Sequence, residues 1–304
     1  MRWFSGRLLT TAAACVLPLA CGDGANGGRA TDASTTPPQS LAEVTHLIGE
    51  IHLHQFPLGS HGWAGFLADP VPRTSAVGDQ LVAYEPAPTS IEGPCTLYVQ
   101  PTCDPGCTGD TLCLGPNTCT PYSAVRYVDI GDVHIVGSRV VNEIRMFFAG
   151  ASGPYECDPP AGRGHLFEGG ESLHVAGGEG DLAFDGTLTA PKPVVVTTPD
   201  LTHDLHFGTD ALSLAWETEH SLQMVITLTA SSSNGDGAAA TIRCSTSDTG
   251  ALTVPASMMS RLPRSPRDLR LEIERNDERI LPTARRGVGV IVHAAQSTWK
   301  NGKD

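Results

Sequence analysis

"LRLEIER", residues 269–275, sets Leu269, Leu271 and Ile273 in one phase and Arg270, Glu272 and Glu274 in the other. A period of two residues marks a strand with one buried face and one wet face. The alternation recurs upstream. "LSLAWE" aligns Leu212, Leu214 and Trp216, and "LQMVITLTA" aligns Met224, Ile226 and Leu228 with Val225 and Thr227 opposite. "ATIRC" puts Ala240, Ile242 and Cys244 in phase, after the polar turn "SSSNGDG". "VGVIVHAA" (288–295) reads as a closing strand, and Pro255 in "PASMMSRL" opens a helical turn or two. The expectation is an all-β chain whose residues 200–298 form an antiparallel β-sandwich of the immunoglobulin or fibronectin III kind, with a tail at 299–304.

The middle and first thirds read the same way. "AVRYVDIGDVHIVG", "EIRMFFAG", "ESLHVAG" and "KPVVVTTP" are strand-like, as are "HLIGEIHLHQF" (46–56) and "QLVAY" (80–84). "FLADPVPRT" (66–74) is expected to be a loop. Residues 41–199 thus make a second sandwich module, packed against the first and carrying an insert at 101–121. Frequent turns are supplied by 33 Gly and 23 Pro.

The N-terminus sets the compartment. Arg2 and Arg7 precede an apolar run from Leu8 to Leu19, and small Ala20 precedes Cys21. That is the layout of an export signal over residues 1–20, too short to span a bilayer as a helix. A Cys directly after the run has the form of a bacterial lipoprotein signal, with Cys21 lipidated; Pro18 departs from the usual lipobox. A cut before Cys15 would leave a very short apolar core. Residues 21–40 are polar and Gly-rich, as a flexible tether would be. The expected address is the bacterial cell envelope at the outer membrane, held by acyl chains.

Between Cys103 and Cys119 runs "CDPGCTGDTLCLGPNTC". No pair in it is CxxC, and "DPG", "TGD" and "GPN" are turn formers, which suits disulfides over zinc in an exported chain. The favoured pairing is alternate, Cys103–Cys113 and Cys107–Cys119, among three connectivities. Cys157 with Cys244 is the expected tie across the sandwich, with Cys95 left over or paired into the insert.

Composition excludes one class of partner. With 20 basic against 33 acidic residues the net charge is −13, so clustered phosphate contacts to nucleic acid are not expected. The partners expected are the membrane, through the anchor, and a protein or glycan at the cell surface. Glu50, His52 and His54 share one strand face, with His61 near, and form a candidate metal site beside the alternative that they simply face water. His203, Asp204 and His206 form a second such cluster. The sequence holds no GxSxG, HExxH, P-loop or EF-hand signature, so no enzyme and no cofactor are expected, the alternative being an envelope hydrolase or metal-binding protein built on the cluster at 50–61.

The run "GESLHVAGGEGDLAFDGTLTAPKPVVVTTP", then "LSLAWE", then "TIRCSTSDTGALTVPASMMSRLP" resembles uncharacterised myxobacterial-type bacterial surface lipoproteins. The likeness spans residues 125–275. It implies a β fold and an envelope location, and it brings no activity with it.

Overall fold

The computed structural model describes residues 40–56, 59–73, 88–101, 103, 106–108, 111–115, 117–121, 127–148, 150, 155–158, 165–202, 208–219, 222–232, 239–263 and 266–302. The leader, residues 21–39 of the tether with Cys21, "QLVAY" and the cluster at 203–206 lie outside them. Pro37–Asp304 form one compact unit.

The chain begins with β1 (His46–Phe56), β2 (Gly59–Pro72), β3 (Ser90–Glu92), β4 (Cys95–Val99), β5 (Thr111–Gly115) and β6 (Thr118–Pro121). Next come β7 (Val133–Val136), β8 (Glu143–Phe148), β9 (Tyr155–Asp158), β10 (Ser172–Gly177), β11 (Phe184–Thr189) and β12 (Val196–Thr198). Last are β13 (Leu212–Trp216), β14 (Gln223–Ser232), β15 (Ala239–Ser247), β16 (Ala251–Val254), α1 (Ala256–Met259), β17 (Pro266–Pro282) and β18 (Val288–Gly302). Among the described residues the fold is all-β apart from α1, the helical turn expected after Pro255, and 3-10 turns at Leu41–Glu43 and Gly180–Leu182. "FLADPVPRT" is not the loop expected of it, because β2 continues to Pro72 and pairs with β1 through Leu47–Val71. The expected tail is likewise strand, since β18 reaches Gly302 opposite Leu269.

One thirteen-stranded sheet dominates the described residues, in the order β11-β10-β7-β8-β9-β2-β1-β18-β17-β14-β15-β4-β3. β12-β13-β16 form a second sheet, and β5-β6 pair alone within the Cys-rich insert. β1 and β18 run parallel; every other strand pair described is antiparallel. A parallel pair needs a long connection, and here nearly the whole chain supplies it. Strands from both sides of residue 200 interleave: β18 lies on β1, and β15 lies on β4. The boundary expected at 199/200 therefore does not divide two modules.

Among the described residues there are nevertheless two large apolar cores, beside a small cluster of Val44, Leu47, Leu67 and Ile291, and the hairpin β17–β18 serves both large ones. In the first, β11 returns onto the far end of β17, bridging Phe184 to Thr283, and Ala284 N donates to Ala183 O at 2.9 Å. This closes β11 through β17 around Ile51, Leu53, Phe66, Ile135, Val175 and Val292. In the second, β4, β15, β14 and the near end of β17 face the sheet β12-β13-β16, enclosing Leu97, Trp216, Ile226, Ile242, Leu271 and Met258. Both lie on one face of the large sheet. The odd positions of β17 show it: Leu269, Leu271 and Ile273 enter the second core and Leu281 enters the first.

Between the cores the same phase turns polar. Gln55, Arg275, Asp277 and Gln296 are each at most 5% exposed. Buried polar groups need partners. Gln55 Oε1 accepts from Leu166 N and Phe167 N at 3.1 and 3.3 Å, and Asp277 accepts from Thr189 N at 2.7 Å. Arg275 sits 2.9 Å from Asp248 and donates to the carbonyls of Lys192, Pro193 and Glu217. This seam ties the loops of each core to the shared hairpin.

Three disulfides join described residues. Cys103–Cys113 and Cys107–Cys119 staple the insert in the alternate pairing. The third corrects the expected tie across the sandwich: Cys244 bonds Cys95, not Cys157. Register decides this, since Cys244 stands directly opposite Cys95 in the β15–β4 ladder, whereas Cys157 is buried on β9 in the first core.

Candidate functional site

The face of β1, β18 and β17 turned away from both cores carries a row of imidazoles and carboxylates. β1 alternates, so Ile51 and Leu53 pack inward while Glu50, His52 and His54 project outward. On β18 the matching positions are Ile291, His293, Ala295 and Ser297; on β17 they are Glu272, Glu274, Asn276, Glu278 and Ile280. Register stacks them into transverse rows: His52–His293–Glu278, then His54–Ala295–Asn276. This face is not wet. Glu50, His293, Asn276 and Ser297 are each at most 6% exposed.

The three side chains expected to share one metal divide instead between two groups. Glu50 Oε2 lies 3.4 Å from His52 Nε2, and the His52 ring stacks on His293 with centroids 4.5 Å apart. Glu278 stands 3.7 Å from His293. His54 turns the other way. Its Nε2 lies 2.9 Å from Ser297 Oγ and 3.5 Å from Glu274 Oε2. The reason is space: Ala295 and Ser297 are small, so long side chains from β1 and β17 meet over β18. A ligand atom from each of His54, Glu272 and Glu274 falls within 4.8 Å of the others. His61 pairs with His54 across β1–β2, and its side chain lies outside the description.

Alternation in "LRLEIER" puts Glu272 and Glu274 on its polar face and holds no sign of what stands beside them. His293 was hidden as a single polar residue in the apolar run "VGVIVHAA". No local pattern links either to His54; only the order β1-β18-β17 does.

A second feature lies at the end of the first core. A cavity of about 730 Å³ is lined by Asp129, Asp132, His134, Phe147, Phe148 and Glu179 with neighbouring glycines. Tyr155 frames it: its hydroxyl accepts from Ile130 N at 2.7 Å and lies 3.2 Å from Asp129 Oδ1. Burial, with the adjacent aspartates, pushes this phenol far above its ordinary pKa, so it stays neutral and keeps its O–H to donate to Asp129 Oδ1 and Gly131 O while its oxygen accepts from Ile130 N. Asp132 is held by the guanidinium of Arg145, and His134 Nδ1 lies 2.6 Å from Glu143. Carboxylates and two half-buried Phe side chains around one concavity can take hydrogen-bond donors together with an apolar surface.

Comparison with protein-family models, with curated proteins and with solved structures finds no match.

Proposed function

We propose that this chain is an exported lipoprotein, cleaved before Cys21 and acylated there, which holds a binding domain at the bacterial envelope, at the outer membrane. The observation that carries this reading is the cross-linking: three disulfides tie Cys95 to Cys244, Cys103 to Cys113 and Cys107 to Cys119. Disulfides form and persist outside the reducing cytosol. The basic and apolar leader and the polar tether agree with that address. So does the resemblance over 125–275 to surface lipoproteins. The facing sheets around the second core support reading it as a β-sandwich of the immunoglobulin or fibronectin kind.

The role is binding, not turnover. The cavity beside Tyr155 offers acceptors and aromatic faces, the chemistry that suits a hydroxyl-rich glycan of the cell surface. The acidic surface disfavours nucleic acid. Mass analysis of the native N-terminus tests the address. An acylated Cys21 as first residue is the expected result, and an unmodified Met1 would overturn it. Binding of envelope glycans to the wild type and to Phe147→Ala tests the role: selective capture lost in the variant supports it, and equal capture refutes it.

A further inference from the structure

We infer that His54, Glu272 and Glu274, with the amide oxygen of Asn276, form a binding site for a divalent transition-metal ion of the Zn²⁺ class. This inference is independent of the envelope reading and of the cavity. It rests on two separate observations.

The first is the convergence of the ligand atoms. A tetrahedral zinc site with bonds of about 2.0–2.2 Å places its ligand atoms roughly 3.3 Å apart. His54 Nε2 and Glu274 Oε2 are already 3.5 Å apart, and Glu272 completes a set within 4.8 Å. A shift of about an ångström in one carboxylate closes the gap. That carboxylate is Glu272, whose bond at 3.0 Å to the exposed Arg270 contributes little and is readily exchanged. The side chains of His54, Glu274 and Glu272 are 19%, 15% and 24% exposed. They are open enough to admit an ion and sheltered enough to hold one.

The second is Asn276. It is 3% exposed, and its Nδ2 donates to Glu274 Oε1 at 3.3 Å. Its Oδ1 is buried and has no hydrogen-bond partner among the described residues. A buried acceptor left unmade is unfavourable, so its presence beside three ligands needs a reason. Asn276 stands opposite Ala295, which stands opposite His54, so the amide borders the same hollow over β18. A cation there would engage the orphaned oxygen.

The donor set names the ion. One imidazole with carboxylate and amide oxygens suits Zn²⁺ or a neighbouring first-row ion. Ca²⁺ takes six to eight oxygens and is poorly served by imidazole.

The test titrates the full chain with Zn²⁺ by calorimetry after chelator treatment and dialysis, alongside Glu274→Gln, His54→Ala and His52→Ala. Expected is one Zn²⁺ per chain, bound at least tenfold more weakly by the first two variants and unchanged in His52→Ala. The melting temperature gives a second readout: Zn²⁺ should raise it in the wild type and not in Glu274→Gln, whose own fold is checked by circular dichroism. Absence of saturable binding, equal affinity in Glu274→Gln, loss through His52→Ala, or Ca²⁺ bound as tightly as Zn²⁺ would each overturn the assignment.

Discussion

Cys95 lies directly opposite Cys244 in the β4–β15 ladder, with Cα atoms 3.9 Å apart and 149 residues of sequence between them. On the chain-entropy account, closing a loop of that length contributes about 5 kcal/mol, the largest share of the three cross-links between described residues. Replacing Cys95 with Ala should lower unfolding free energy by about 3–5 kcal/mol in denaturant titration. Cys157→Ala should leave the Cys95–Cys244 peptide intact on non-reducing mass mapping. A Cys157–Cys244 peptide in the wild type would contradict the register.

Asp248 is the anchor of the seam between the cores. It is 2% exposed, accepts from Trp216 Nε1 at 2.7 Å and from Glu219 N at 2.8 Å, and sits 2.9 Å from Arg275 Nε. Asp248→Ala leaves the Arg275 charge buried without its nearest counter-charge. The expected loss is about 3–5 kcal/mol. A loss below 1 kcal/mol in equilibrium unfolding would show that the seam does not hold the hairpin.

Glu171 sets an acid limit. Burial works to raise its pKa, but the N–H groups of Glu168 and Arg139 and the Arg139 guanidinium outweigh it, so the carboxyl is held below its ordinary range. A depressed carboxyl adds stability that is complete above the unfolded pKa of about 4.3 and fades as pH falls through the folded value. Glu171→Gln should cost about 1–3 kcal/mol at pH 7 and flatten the decline in melting temperature below pH 5. A variant curve parallel to the wild type through the acid range would refute this.

Gly49 is required by a close approach. A Cβ built there would meet Phe66 Cδ1 at 2.1 Å and Gly65 O at 2.9 Å, and Phe66 is fully buried. Gly49→Ala should destabilise by about 1–3 kcal/mol through overpacking. Combining it with Phe66→Leu should cost less than the two losses added, as coupled neighbours do. Simple additivity would mean the ring is not the obstacle.

Much of the architecture was legible as alternation. "LRLEIER" announces a strand and separates Leu271 from Glu272, because successive side chains leave a pleated backbone on opposite faces. The turn-rich spacing of the insert made alternate cysteine pairs the natural choice. What alternation cannot supply is a neighbour. Residue 269 could not say that β17 would bend past one core into another. Nor could Cys244 say which of two distant cysteines it would meet.

The sequence by itself determined strand from helix, the inward from the outward face of each strand, the net charge and the kind of chemistry each face could hold. Those properties are local, written within a few residues of one another. Only the tertiary structure decided that β1 lies parallel to β18, that His54 reaches Glu274 and leaves Glu50 and His52 to His293, and that Cys95 is the partner of Cys244. Such pairings depend on register between segments up to 242 residues apart, and register is set by how the two cores close, not by any pattern within a strand.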